Sequence, residues 1–230
     1  PAPYERASMI ANYLKGKSIK FKILIFDSKN SFTKKNIFLK EWKKMYGNSI
    51  EWVSKQNGGL ITRFEKKKVF NSDGEKIKGD FIHIIPEQKA GKIIFDSKLC
   101  NNDWCTINPQ TFQLLNFKDI YAVGDSVDAG DMPKSAFSAE SQAKILSLNL
   151  INRILQKSYL NPVFLNTCYS FSSNDRAFSI TSWYKLNTMK DRIVSLGSSQ
   201  SSDDGLNDER IREAKEAFGW YESITKTLYG

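Results

Sequence analysis

The first 53 residues alternate helical and extended stretches, and that alternation constrains the fold more than any other feature. Pro3 precedes residues 4–14, where Ala7, Ile10, Tyr13 and Leu14 recur at helical spacing and predict a helix with that stripe inward. Gly16 stops it. Residues 20–27 follow as a strand, the apolar run Ile23-Leu24-Ile25-Phe26 ending at an acidic residue, Asp27. A second helix is expected over residues 33–46, apolar at Ile37, Phe38, Trp42 and Met45, and a short strand over residues 50–53. Helix–strand–helix–strand is the order of a doubly wound α/β domain entered after its first strand.

Residues 59–85 change to short alternating strands around the turn signal Asn71-Ser72-Asp73-Gly74, which predicts an appended β-meander. Its last piece, residues 81–85, looks like a buried strand, with His83 a strand histidine. After the break at residues 86–91 comes a loop with Cys100 and Cys105, then a strand over 120–123 leading to Gly124-Asp125. Pro133 opens a helix over 135–155. The tail holds strands at 164–169 and 178–184, a linker at 197–205 and a helix over 208–228, with Ile211, Ala214, Phe218, Tyr221 and Ile224 as its buried stripe. Expected divisions are 1–90, an α/β domain lacking its first strand; 91–158, a returning part of another domain; and 159–230, a C-terminal α+β tail.

A net charge of +9 raises the question of nucleic acid, but the basic residues are scattered and Lys outnumbers Arg, whereas bidentate phosphate or base readout favours Arg. An acidic protein partner suits this charge, and no nucleic acid is expected. No apolar run reaches the roughly 18 residues of a membrane span. The three cysteines, Cys100, Cys105 and Cys168, come with a single histidine, so neither a zinc site nor a Ser-His-Asp centre is expected, and no metal is assigned. Cys100 and Cys105 could pair with each other, which would leave Cys168 over.

The segment Ile120-Tyr121-Ala122-Val123-Gly124-Asp125, continuing through Met132-Pro133-Lys134-Ser135, carries the chemistry. Gly124 lets the backbone approach a ligand closely, Asp125 can accept hydrogen bonds from hydroxyls, and the helix N-terminus favours negative charge, as on a reduced flavin. An ordinary strand–turn–helix capped by Ser135 would use the same residues.

This segment resembles the second FAD-binding motif of flavoproteins with two dinucleotide-binding domains. Extended through Ser141-Gln142-Ala143-Lys144, it resembles the flavoprotein subunit of flavocytochrome c sulfide dehydrogenase. Pro3-Tyr4-Glu5-Arg6, Trp104-Cys105 with Thr111-Phe112, Leu165-Asn166-Thr167-Cys168-Tyr169-Ser170 and Trp220-Tyr221 resemble further segments of that family, in order. The resemblance implies an incomplete Rossmann-like flavoprotein of α/β class with a C-terminal α+β tail domain. It implies FAD held through Gly124, Asp125, Met132, Pro133, Lys134, Ser135 and Trp220. Cys168 would be one half of a redox disulfide attacked by sulfide, Glu5 a proton acceptor, and a c-type cytochrome the electron acceptor, in the periplasm.

The other half of that disulfide, the Gly-rich motif for the ADP half of FAD and the site of covalent flavin attachment would precede Pro1, so the chain is expected to start in mid-domain and to purify colourless. Read without the resemblance, Cys168 is a small buried hydrophobe, Glu5 complements a helix dipole and Trp220 packs in a core. Asp27 sits where a ribose-binding acid lies in a nicotinamide site, which this family does not use. Glu87, His83 and the Ser- and Asp-rich residues 198–204 depart from the family pattern. Two other functions fit the resemblance: a sulfide:quinone oxidoreductase, which needs a membrane-facing C-terminus, and a non-catalytic module derived from the enzyme.

Overall fold

The computed structural model describes residues 2–230; Pro1, where the mid-domain start is expected, lies outside the described residues. In chain order the elements are α1 (Ala2–Gly16), β1 (Ile23–Phe26), α2 (Lys35–Tyr46), β2 (Ile50–Val53), β3 (Ile61–Glu65), β4 (Lys68–Asn71), β5 (Lys76–Lys78), α3 (Lys92–Asp96), α4 (Ala136–Ile154), β6 (Val163–Ser173), β7 (Arg176–Leu186), β8 (Ile193–Gln200) and α5 (Asn207–Tyr229). The chain is of α/β class and divides into two units. One takes the chain up to Ile85 with Tyr169–Ser179 and Gln200–Gly230; the other takes Pro86–Cys168 and Ile180–Ser199.

In the first unit β1 and β2 pair in parallel, Ile23 opposite Ile50 and Phe26 opposite Val53. Parallel neighbours need a crossover, and α2 supplies it. Its Ile37, Phe38, Trp42 and Tyr46 pack with Tyr4, Ala11, Ile50 and Phe178 into one apolar cluster. The buried face of α1 is Tyr4, Ala7, Ser8 and Ala11; of the expected stripe only Ala7 is buried, and Ile10 and Tyr13 are exposed. Polar ties set that rotation. The Tyr4 hydroxyl donates to Asp27 Oδ2 at 2.5 Å, and Trp42 Nε1 donates to Ser8 Oγ at 2.7 Å.

The meander is an antiparallel sheet in the order β3-β4-β5. Its turn is held by Asn71, whose Oδ1 accepts from the Asp73 and Glu75 amides at 3.1 and 2.8 Å. Residues 81–85 do not form the expected buried strand: no neighbour pairs with them among the described residues, and Phe81 is 80% exposed. An apolar run shows that a strand is possible; only a partner with free hydrogen-bonding groups makes one. His83 is therefore not a strand histidine, and its Nε2 lies 3.0 Å from Arg6 Nη1.

β6, β7 and β8 form a three-stranded sheet in sequence order, with Asn174-Asp175 as a two-residue hairpin connection. The division between units falls inside these strands. Residues 197–200, expected as linker, belong to β8, and only the rest of that segment is loop. A serine-rich stretch has weak strand propensity, and an available edge on β7 overrides it.

A buried charge cluster ties α2, β7 and α5 within the first unit. Glu41 accepts from Arg176 Nε at 3.1 Å, Arg210 Nε at 3.4 Å and Ser172 Oγ at 3.2 Å. Burial pushes the Glu41 carboxyl up, but the hydrogen bond and charge of Arg176 and the charge of Arg210 outweigh it, and the net direction is down. This cluster explains why the inward face of α5 is Arg210, Glu213, Ala214 and Ala217. Of the expected apolar stripe only Ala214 is buried; Phe218 and Tyr221 are 52% and 62% exposed.

The second unit packs loops around a core of Cys105, Ile107, Phe112, Leu114, Val127 and Met132, joined by Phe164, Tyr184, Leu186 and Ile193. Its α4 begins at the expected place, with Ser135 as N-cap accepting from the Ser138 amide at 3.1 Å. Residues 120–123 are not a regular strand: Tyr121 makes an isolated bridge to Gln113, and the Ala122 amide donates to Phe112 at 3.0 Å.

Candidate functional site

Gly124 opens a single 3-10 turn, Gly124–Ser126, with φ of 73°, a left-handed backbone that favours glycine. A Cβ there would lie 3.0 Å from Ala139 Cβ of α4. The Gly124 amide donates to Gln142 Oε1 at 2.7 Å, so the turn is fastened to the second turn of α4. Gln142, 1% exposed, also reaches Met132 Sδ at 3.8 Å. Asp125 is exposed at the tip of the turn.

Lys134 lies just before the cap. Its ammonium donates to the Val127 carbonyl and sits 3.8 Å from the centre of the Trp104 ring. Desolvation lowers its pKa, against the pull of Asp125 and Asp128. Pro133 is exposed beside it and Met132 is buried.

The cap leads to the sulfur. Ser135 Oγ donates to Asn166 Oδ1 at 2.6 Å, Ser138 Oγ donates to the same oxygen at 3.2 Å, and Asn166 Nδ2 donates to Cys168 Sγ at 3.3 Å. Asn166 is 2% exposed and thus fixed, so one buried amide couples the first turn of α4 to Cys168. Thr167, on the other face of β6, bonds Thr181 at 3.0 Å. Within the second unit the fold therefore gathers the Gly124 turn, Met132, Lys134, Ser135 and Cys168 around the N-terminus of α4.

Glu5 and Trp220 belong to the other unit. Glu5 Oε1 accepts from the Phe171 amide at 3.0 Å, and the Phe171 ring packs on Phe218 at 5.1 Å. Trp220 is half-buried on α5. Asp27, the candidate ribose acid, is occupied instead: besides Tyr4 it accepts from Trp52 Nε1 at 3.1 Å and from the Lys29 amide at 3.0 Å.

Asn166 and Gln142 were not among the sequence candidates. Both lie in the segments that carry the family resemblance, but nothing in their local spacing marks either amide as buried. Among the described residues no group of His, Cys, Asp and Glu could hold a metal, and no helix is long and apolar enough to cross a membrane.

A flavin-edge site suits this donor set. It has a cation, helix amides able to face developing negative charge, a close backbone approach at Gly124 and a sulfur held at the same place. These features define an α/β flavoprotein. More specifically, the chain belongs to the flavocytochrome c sulfide dehydrogenase flavoprotein family. The family description "sulfide dehydrogenase (flavocytochrome c) flavoprotein chain, central" matches residues 1–86, and "flavocytochrome c sulphide dehydrogenase, flavin-binding" matches residues 160–228. The cofactor that goes with this family is FAD.

Two solved structures are similar. A chain of the Tetrahymena thermophila mitochondrial ATP synthase F1Fo tetramer shows 18% identity and a TM-score of 0.46 over 75% of this chain and 44% of that one. Reduced Bacillus anthracis CoADR-RHD shows 14% identity and a TM-score of 0.43 over 89% and 43%. This chain thus spans less than half the length of either.

Proposed function

We propose that this chain is part of the flavoprotein subunit of a sulfide:cytochrome c oxidoreductase, acting in the periplasm through a redox disulfide that contains Cys168. The observation that carries this is the tie from Ser135 through Asn166 to Cys168 Sγ, which holds a sulfur beside the positive end of α4. Thiolates are the reactive form of cysteine. Lys134 and the N-terminus of α4 would face the flavin, with Gly124 and Asp125 toward its ribityl chain.

In this proposal hydrosulfide would attack a disulfide between Cys168 and a partner cysteine. The sulfur–sulfur bond breaks, one sulfur keeps the added atom as a persulfide and the other leaves as a thiolate. Glu5 would take up the proton of the incoming hydrosulfide, and Trp220 would help to hold the flavin. Bound FAD supplies a two-electron acceptor that releases electrons singly, and a c-type cytochrome receives them. The functional division that goes with this is 1–90, 91–158 and 159–230; the family descriptions match 1–86 and 160–228.

The test uses the complete protein with its cytochrome. Sulfide should bleach the flavin absorbance, and Cys168→Ser should retain flavin yet abolish bleaching; undiminished bleaching in that variant would sink the proposal.

One observation favours a second reading, a sulfide:quinone oxidoreductase on a membrane surface. α5 leaves Phe218, Tyr221, Leu228 and Tyr229 exposed, three of them at helical spacing on one face. Co-sedimentation with anionic lipid vesicles, lost on Phe218→Asp, would support it; no binding leaves the cytochrome reading alone.

A further inference from the structure

Cys100 and Cys105 lie apart from the chemistry assigned to Cys168. Cys105 is fully buried in the core of the second unit, and Cys100 packs against the same cluster from its edge. Cys100 Sγ donates to the Asn102 carbonyl at 3.0 Å, and the Cys100 thiol acts electrostatically on that of Cys105. Cys100 lines a cavity of about 310 Å³ with Leu99, Asn101, Thr106 and Leu115, so a small reagent can reach one sulfur of the pair and not the other.

The backbone on either side is fastened. The Cys105 amide donates to Ser126 at 2.9 Å, the Asp128 amide donates back to Cys105 at 2.9 Å, and the Leu99 amide donates to Ile94 at 3.0 Å. Between them residues 101–103 are exposed. Closing the bond requires the sulfurs to meet at about 2.05 Å, and the exposed stretch between the two cysteines can absorb the shift. Burial, together with the charge of Cys100, pushes the Cys105 thiol up to about 11, so attack begins at Cys100. A metal is not the alternative use: no third ligand accompanies the two sulfurs among the described residues.

We propose that Cys100 and Cys105 form a dithiol modification site that a low-molecular-weight disulfide, such as oxidised glutathione, closes to an intramolecular disulfide. Cys100 loses its proton and attacks one glutathione sulfur, and the first glutathione leaves as thiolate. Cys105 then loses its proton and attacks Cys100 Sγ, expelling the second glutathione thiolate. Two protein thiols are oxidised, one disulfide is reduced, and the two protons end on the two glutathione molecules. Neither flavin nor sulfide takes part, so this site and the proposed function stand or fall separately.

The test treats the 230-residue chain with oxidised glutathione, caps remaining thiols with N-ethylmaleimide after unfolding, and maps the tryptic peptide 99–118, which holds both cysteines and ends at Lys118. Expected is a peptide lighter by two hydrogens, without adducts, restored to two adducts by dithiothreitol. The Cys100→Ser variant should give one adduct, on Cys105, before and after oxidation. Two adducts in the treated wild-type chain, glutathione retained on Cys100, or a link from either cysteine to Cys168 would overturn the proposal.

Discussion

Asp27 ends β1 where a ribose-binding acid would sit, yet both carboxylate oxygens are engaged by Tyr4, Trp52 and the Lys29 amide. The Tyr4 hydroxyl is pushed well above the ordinary tyrosine range, by burial first and then by its bond to Asp27 and that carboxylate's charge, so the phenol keeps its proton to donate. The acid is structural here. Gly124 is a different case, because its backbone and its space both matter. Gly124→Ala must hold a left-handed φ and press on Ala139, which predicts a loss of about 1–2 kcal/mol in urea unfolding with unchanged m. Gly130, at φ 65°, allows still less: a Cβ would lie 2.2 Å from the Ile193 carbonyl, so Gly130→Ala should cost more than Gly124→Ala.

α2 shows how one polar residue organises neighbouring elements. Its apolar side packs in the core, while Glu41 gathers Arg176 from β7 and Arg210 from α5. Because the folded pKa lies below the unfolded one, the contribution is present above the unfolded value near 4.3 and is lost as pH falls through the folded value. Glu41→Gln should therefore destabilise the chain by about 3–5 kcal/mol at pH 7, leaving buried guanidinium groups uncompensated. It should also flatten the decline in stability below about pH 4. Thermal melts from pH 3 to 7 check both; parallel curves for variant and wild type would refute the assignment. In α4, Ser135 caps the helix and holds Asn166 at once, so Ser135→Ala should cost about 1 kcal/mol from the cap.

At the scale of the whole molecule, neither unit is a continuous stretch of chain. Residues 1–85 contain the parallel pair and the meander, but Phe178 of their apolar cluster and both arginines around Glu41 come from later in the sequence. The isolated segment 1–85 should therefore lack a cooperative transition in urea, monitored by tryptophan fluorescence at Trp42 and Trp52. A sigmoidal transition would show that the local contacts suffice.

The sequence by itself determined the α/β start, α4 with its Ser135 cap, the Asn71–Gly74 turn and the family, because each rests on local spacing or a local motif. Rotations and partners were not legible. α1 turned to bury Tyr4 and Ser8, α5 turned to bury Arg210 and Glu213, residues 81–85 found no strand to pair with, and β8 took up residues that read as linker. Long-range polar contacts turned the two helices, a free sheet edge extended β8, and the lack of a pairing partner left residues 81–85 without a strand. For the candidate site the glycine turn, the lysine and the cysteine stood out as residue types in a motif. That Asn166 joins the helix start to the sulfur was decided only by β6 lying beside α4, since hydrogen bonds between elements distant in sequence leave no spacing to read.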